Sequence, residues 1–340
     1  MMYSQTMGQP GRRRRHHFIS QFYLKGFTDE NGKIWMHDVR KLTSTHNHPQ
    51  AIAYETDLNT VYVPGVKPDE IEDRISKFEA IVAPIFEKTI ATETLPKGEE
   101  LFRILEFVAL SFARTPTMRR VVDASIVAQD GDVDWTKVPK LADQTYQVSH
   151  MVDLWQDTVQ AIVKRRYWQL VKVPVEIGSL VLSDNPVHRQ WMFEEDLKYG
   201  YATFRALRTW LYMPFSKQLL LVGTFEPVTA HPVDSLRLLA DMNTLCLRGI
   251  VRHAFSSDRK FVWIAENERI LSGEHFLGMF GALNCIRGID AAYSKCPQFG
   301  TAKIAPVNLS EYLKRHRRLN NQQINDIFDH LFRKPAQRQP

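Results

Sequence analysis

The residue types best suited to chemistry stand at the end of a short apolar run near the middle of the chain. The run SLVLS, residues 179–183, is followed by Asp184, Asn185 and Pro186. Proline lacks a backbone donor and ends a sheet ladder, so the run predicts a strand that delivers an acid and an amide at its end. An aspartate placed there can bind a divalent metal, orient a histidine or accept an arginine. The alternative is an Asx-turn, in which Asp184 and Asn185 bind nearby backbone N–H groups.

A pair of histidines near the N-terminus supplies the second half of the hypothesis. The segment RRRRHHFISQFYLKGF, residues 12–27, places His16 and His17 between four arginines and an aromatic-rich run. An imidazole can act as general base, general acid or metal ligand, and each role needs a carboxylate or carbonyl that fixes its tautomer. We predict that Asp184 is that partner of His17. The alternative is a solvated tail that continues into structure.

Further polar side chains complete the predicted site. Arg114 ends an apolar helical stretch, where its guanidinium can clamp a phosphate or carboxylate, or can pair structurally with Asp184 or a helix C-terminus. Polar groups in apolar surroundings need partners, and a functional site is only one place to find them. We predict catalytic roles for His17, Asp184 and Arg114, substrate binding by Asn185, Asn243, Arg252 and Tyr23, and a divalent metal held by Asp184 and His17.

The positive charge of the chain lies mainly at its two ends. The formal net charge is +6. The first 17 residues hold four arginines and no acid, and residues 314–340 hold seven basic residues and two acids, so the remainder is net negative. Attraction of phosphates to basic tails favours weak, salt-dependent association over specific readout. The expected partner is therefore nucleic acid or another phosphate-containing ligand bound through the tails, and two merely solvated tails are the alternative.

Missing patterns narrow the class of protein. The three cysteines are scattered, no C-x-x-C pair occurs, and neither a secretory apolar region nor an apolar run of transmembrane length is found. We therefore expect a cytoplasmic protein that has no membrane partner. The Walker, G-x-G-x-x-G, H-E-x-x-H and G-x-S-x-G patterns are also absent, which argues against kinases, dehydrogenases with a dinucleotide fingerprint, zinc proteases and α/β-hydrolases.

The elements that must position these residues predict an α+β fold. Apolar residues spaced by three and four predict long helices in a mainly helical N-terminal half. The β-rich runs after Tyr167 are too close for crossover helices, so these helices should pack on a small mixed or antiparallel sheet, before a helical C-terminus. We predict a disordered basic tail over 1–15 and one domain over 16–335, with a helical part at about 68–166, a sheet-containing part at about 167–310 and terminal helices at 310–333. Within it we expect a long loop over 45–65 with a short extended piece around 60–63, and helices over 233–251 and 267–280.

Three separated stretches occur in an order typical of one bacterial family. They are HHFISQFYL with Phe27, then FARTP, then SDNPV. They resemble the H-H-x-x-P-Q-x-Y-L-x-x-F opening, the R-T-P helix end and the S-D-N-P-V motif of domain-of-unknown-function family 4238, except that Ser20 stands where the opening has proline. Downstream, LYMPFSKQLLL and MNTLCLRGIVRHAFSSD resemble later segments of the family, so the resemblance covers roughly residues 16–258 and implies a shared fold without an activity. If the family opening marks an ordered segment, His17 is expected to point inward and His16 to be exposed.

These residue types favour hydrolysis of a phosphate-containing substrate. We expect a metal-assisted hydrolase of phosphodiesterase or nuclease type, with Arg114 offsetting the developing phosphate charge. The alternative is a non-enzymatic module that binds nucleic acid or protein through the basic tails. Side chains of His17, Arg114 and Asp184 within about 8 Å of one another around an open pocket would favour the enzyme.

Overall fold

The computed structural model of the protein is described here for residues 14–63, 65–119, 140–192, 194–199, 202–229, 233–247, 249–265, 268–278, 300, 301 and 309. The helices are α1 (Gln21–Lys25), α2 (Glu70–Thr92), α3 (Gly98–Ala113), α4 (Lys140–Ile162) and α5 (Leu236–Leu247), with short 3-10 helices at Pro49–Ala51, Glu194–Tyr199 and Gly273–His275. The strands are β1 (Arg15–His17), β2 (Ile34–Asp38), β3 (Thr43–Asn47), β4 (Tyr54–Thr56), β5 (Tyr167–Lys172), β6 (Leu182–Ser183), β7 (His188–Trp191), β8 (Thr209–Ser216), β9 (Leu219–Thr224), β10 (Val228–Thr229), β11 (His253–Ser256), β12 (Val262–Ile264), β13 (Ile270–Ser272) and β14 (Gly300–Thr301).

The helices α2, α3 and α4 form a layer whose interior is α3. In α2 the predicted stripe of Ile71, Ile75, Phe78 and Val82 is buried, and the helix continues through Pro84 to Thr92. In α3 almost every side chain from Leu101 onward is buried, as expected of a helix covered on all sides. It packs against α2 and α4. The predicted long helices are therefore confirmed in this part of the chain.

A four-stranded antiparallel sheet, in the order β5-β9-β8-β7, lies against this layer. All residues of β8 and β9 are buried, because both faces of these strands are covered. On one face Leu211 and Met213 join the hydrophobic cluster of the long helices, and on the other Trp210 and Tyr212 join a second cluster that includes residues of α5. The mixed α and β class with antiparallel sheets is confirmed.

A second antiparallel sheet, in the order β3-β2-β11-β6, joins distant parts of the chain. Its central strand β11 pairs with β2 through Phe255 and Met36, and with β6 through Phe255 and Leu182. The N-terminal hairpin is thereby linked to the strand that carries the SDNPV motif. Separately, β1 pairs with β4, and His17 lies opposite Tyr54.

Several element predictions need correction. Residues 43–47, partly assigned to a loop, form β3, and Tyr54–Thr56 within the same predicted loop form β4. The predicted helix over 267–280 is only partly right: its described residues hold β13, which pairs with β12, then a 3-10 turn, and only residues 276–278 are helical. Order begins before residue 16, since Arg15 is in β1 and Arg14 binds Asp57 at 2.9 Å. The predicted terminal helices over 310–333 lie outside the described residues. In the described chain, no helix combines the length and apolar character needed to cross a membrane.

Candidate functional site

The two adjacent histidines point to opposite sides of β1, as successive strand residues do. His16 is fully buried, and its Nδ1 accepts the backbone N–H of Asn59 at 2.8 Å. His17 is only half-buried. The predicted orientation was therefore wrong: His16 is the inward residue, with a structural hydrogen bond, and His17 is the one that solvent reaches.

His17 is held from several directions. Its ring contacts Tyr54 edge-on with centroids 5.7 Å apart, and the Gln21 side-chain amide nitrogen lies 3.4 Å from both ring nitrogens. Burial, followed by the positive charge of Arg114, lowers the pKa of His17, against smaller opposing effects of the Glu79 carboxylate and of a hydrogen bond with the Gln50 backbone. At neutral pH the imidazole is therefore uncharged, as a general base must be.

A partly buried ion pair between Arg114 and Glu79 lies close enough to His17 to affect its pKa. The Arg114 guanidinium is 1% exposed, and its Nη1 donates to Glu79 Oε1 at 2.7 Å. Ser20 Oγ donates to the same carboxylate oxygen at 2.6 Å and accepts Arg114 Nη2. Ser20, the departure from the family pattern, is thus part of the network. We call His17, Ser20, Gln21, Glu79 and Arg114 the His17 cluster.

Both carboxylate oxygens of Asp184 accept hydrogen bonds from the backbone of another segment, residues 251–253. Oδ1 accepts the N–H of Val251 at 2.8 Å, and Oδ2 accepts those of Arg252 at 2.7 Å and His253 at 2.8 Å. Burial raises the pKa of Asp184, and these backbone hydrogen bonds oppose that rise. The arrangement is neither the local Asx-turn nor a contact with His17, and it anchors the chain just before β11 to the end of β6.

The remaining predicted residues are also engaged. Asn243 is fully buried and links α5 to its neighbours through the backbone of Ser179, Val181 and Val262. The Tyr23 hydroxyl donates to the Pro214 carbonyl in the core. Two groups remain closer to solvent: Arg252, 40% exposed, pairs with Asp38 at 2.9 Å, and Asn185 is half-buried at the turn after β6.

The structure thus brings together only part of the predicted site. His17 and Arg114 belong to one cluster, whereas the described contacts of Asp184 involve residues 251–253 and share no member with that cluster. In the described ranges, no group of three or more His, Cys, Asp or Glu side chains is arranged to hold a metal ion. Glu79 was missed. Its one available signal is its position on α2, beside the buried Phe78 and within one turn of Ile75 and Val82.

Comparison with known proteins gives a family and no activity. A family model described as "Protein of unknown function (DUF4238)" matches residues 15–244, which confirms the resemblance inferred from the motifs. No curated protein and no solved structure matches the chain.

Proposed function

Because the chain belongs to the DUF4238 family, whose description names no reaction, we propose from its geometry that it hydrolyses a phosphate-containing substrate with His17 as general base. The observation that carries the proposal is a pairing on β1. Arg15 and His17 are two residues apart, so they project from one face of the strand. Both contact Tyr54: the Arg15 guanidinium carbon lies 5.0 Å from the ring centroid, and the His17 ring meets it edge-on. A solvent-exposed cation and a neutral imidazole are thus neighbours.

His17, Arg15 and Arg114 have different roles in the proposed reaction. His17 accepts a proton from a water whose oxygen bonds to phosphorus, while the P–O bond to the leaving group breaks and the leaving oxygen takes a proton from solvent. The Glu79 carboxylate favours the imidazolium that forms, against the larger opposing effect of the Arg114 charge. Arg15 attracts the substrate phosphate and offsets charge on it. Arg114 is covered and already bound to Glu79 and Ser20, so we assign it a positioning role in place of the predicted phosphate clamp.

The divalent metal stays a prediction, and we assign Asp184 no part in binding it. Its carboxylate is engaged by three backbone N–H groups, which leaves it badly placed to share a metal with His17. The assay for activity therefore includes both conditions, with Mg²⁺ or Mn²⁺ and with a chelator.

The test is a panel of phosphomonoester, phosphodiester and nucleic-acid substrates, assayed with the full chain. We expect turnover of at least one substrate, a loss of about 10²–10⁴-fold in kcat in His17→Asn, and a raised KM in Arg15→Gln. The matched control is His48→Asn, because His48 is exposed and outside the cluster. Full activity in His17→Asn, or no turnover of any substrate by the wild type, would overturn the proposal.

The second candidate, a binding module without turnover, is favoured by the exposure of the basic N-terminal residues. Arg14 is 63% exposed although it pairs with Asp57, and Arg12 and Arg13 precede it. Fluorescence anisotropy with labelled single- and double-stranded nucleic acid would detect such binding, and its affinity should fall steeply with salt. Binding that is lost in Arg12→Gln/Arg13→Gln, with no turnover by the wild type, would favour the module.

A further inference from the structure

Two arginines that take no part in the proposed chemistry both contact Phe204. Arg189 is on β7, the last strand of the β5-β9-β8-β7 order, opposite Leu211 on the face that packs against the long helices. Arg165 follows α4 and is fully buried. The two guanidinium groups are close enough that the charge of Arg189 lowers the pKa of Arg165 to about 9, after the larger effect of burial.

Arg189 is fixed in place by stacking on aromatic rings. Its guanidinium carbon lies 4.9 Å from the Phe112 ring centroid and 4.4 Å from that of Phe204, and these two rings pack edge-to-face on each other. Stacking uses the faces of a guanidinium and leaves the N–H groups at its edge available. Among the described residues, no hydrogen bond or ion pair reaches those N–H groups, and no carboxylate offsets the burial that lowers the pKa of Arg189.

Arg165 is fixed by neutral partners alone. Its Nη1 donates to the Thr209 carbonyl at 2.8 Å, and its Nη2 donates to Thr209 Oγ1 at 3.0 Å and to the Phe204 carbonyl at 3.3 Å. Its flat face lies over Phe225, 4.4 Å from the ring centroid. A buried cation normally has an anionic partner, because desolvating a charge is costly. Among the described residues, neither Arg165, which is fully buried, nor Arg189, which is half-buried, has an anionic partner.

We propose that Arg189 and Arg165 form a binding site for a small molecule that carries a dianionic phosphate group. Arg189 is the contacting residue, since a guanidinium fork held by two rings matches phosphate oxygens with two parallel hydrogen bonds. Arg165 acts from behind, through its charge. Two adjacent cations match the two negative charges of a phosphate monoester better than the single charge of a carboxylate.

The arrangement predicts two effects of replacing Arg189, one on thermal stability and one on phosphate binding. Without ligand, the two like charges repel each other, and Arg189 contributes mainly its stacked surface. Replacing it with methionine keeps apolar contact with both rings and removes the repulsion. Arg189→Met should therefore be at least as thermally stable as the wild type in chloride buffer, while losing the response to phosphate.

The experiment is thermal unfolding of the full chain, titrated with inorganic phosphate and with a simple phosphate monoester such as glycerol 2-phosphate. Sodium chloride holds the ionic strength constant, and acetate serves as the carboxylate comparison. The wild-type Tm should rise saturably with both phosphates and not with acetate. The apparent Kd should weaken by about tenfold or more in Arg189→Met, and by less in Arg189→Lys, which keeps the charge without the fork.

Controls separate this site from others. Arg208→Gln removes a nearby arginine that already pairs with Glu195 and Asp196, and should leave the phosphate response intact. Because Arg15 is itself proposed to attract a substrate phosphate, the titration is also made in the double variant His17→Asn/Arg15→Gln. The phosphate response that remains in this background should be lost when Arg189→Met is added, which makes this inference independent of the proposed function. A wild-type Tm that does not respond to phosphate, a response equal for acetate, or a response preserved in Arg189→Met would each overturn the proposal. If Arg189→Met fails to fold, the comparison of wild type with Arg189→Lys and Arg208→Gln still decides it.

Discussion

Replacing Asp184 with asparagine should destabilise the fold, because three backbone N–H groups donate to this buried carboxylate. Two of them, from Arg252 and His253, share Oδ2, and the third, from Val251, binds Oδ1. Asparagine has one acceptor oxygen. With that oxygen facing the pair of donors, its NH₂ group meets the Val251 N–H, donor against donor.

The size of the effect follows from those contacts. A buried N–H left unsatisfied costs about 1–3 kcal/mol. The two remaining hydrogen bonds change from charged to neutral acceptors, a loss of about 1 kcal/mol each. We therefore expect Asp184→Asn to lower the free energy of unfolding by about 3–5 kcal/mol.

Urea unfolding at pH 7 measures this loss of stability. The midpoint should fall, while the slope of the free energy of unfolding against urea concentration stays unchanged. Asp29→Asn is the matched control, since Asp29 Oδ1 also accepts two backbone N–H groups, from Asn31 and Lys33, at a far more exposed site. Asp29→Asn should lower the free energy of unfolding by clearly less than Asp184→Asn. A free energy of unfolding for Asp184→Asn within about 1 kcal/mol of wild type would refute the reasoning and return Asp184 to the list of candidate catalytic groups.

Two further predictions concern acid stability and packing. Burial lowers the pKa of His37 from 6.5 to about 4, so the unfolded chain binds the extra proton first and stability should fall as the pH drops from 6.5 towards 4. In urea titrations across that range, His37→Gln should show a shallower pH dependence than wild type, and equal slopes would contradict the assignment. Gly223→Ala would place a methyl group 2.4 Å from a Trp168 ring carbon, so it should cost about 1–3 kcal/mol, whereas Gly278→Ala, with nothing within 4 Å, should cost less. Equal thermal stability of the two variants would show that the Trp168 ring yields easily.

The fold was predictable where local pattern and burial agree. The stripe in α2 identified both the helix and its buried face, because the same side chains satisfy the 3.6-residue period and the core. The polar strand β3 was not predictable in this way. Its residues are largely exposed or half-buried, and its conformation comes from pairing with β2, a partner that no local pattern reveals.

The site was less predictable, because its geometry depends on long-range partners. Alternation along β1 requires His16 and His17 to face opposite ways, but only the position of Asn59 decides which one is inside. Similarly, the motif around Asp184 indicated a carboxylate at a strand end. Its actual partners, in residues 251–253, lie almost 70 positions away and contribute only backbone N–H groups. Because every residue except proline has a backbone N–H, such a partner cannot be recognised from residue type.

The position of β11 between β2 and β6 bears on where the chain can be cut. The family match ends at Thr244, nine residues before this strand begins. A protein shortened to that boundary would leave two strands with open edges, exposed to pairing with other molecules, and would deprive Asp184 of all three donors. We therefore expect a shortened chain to keep this sheet and the Asp184 contacts only if it extends through Ser256, beyond the segment by which the family is recognised.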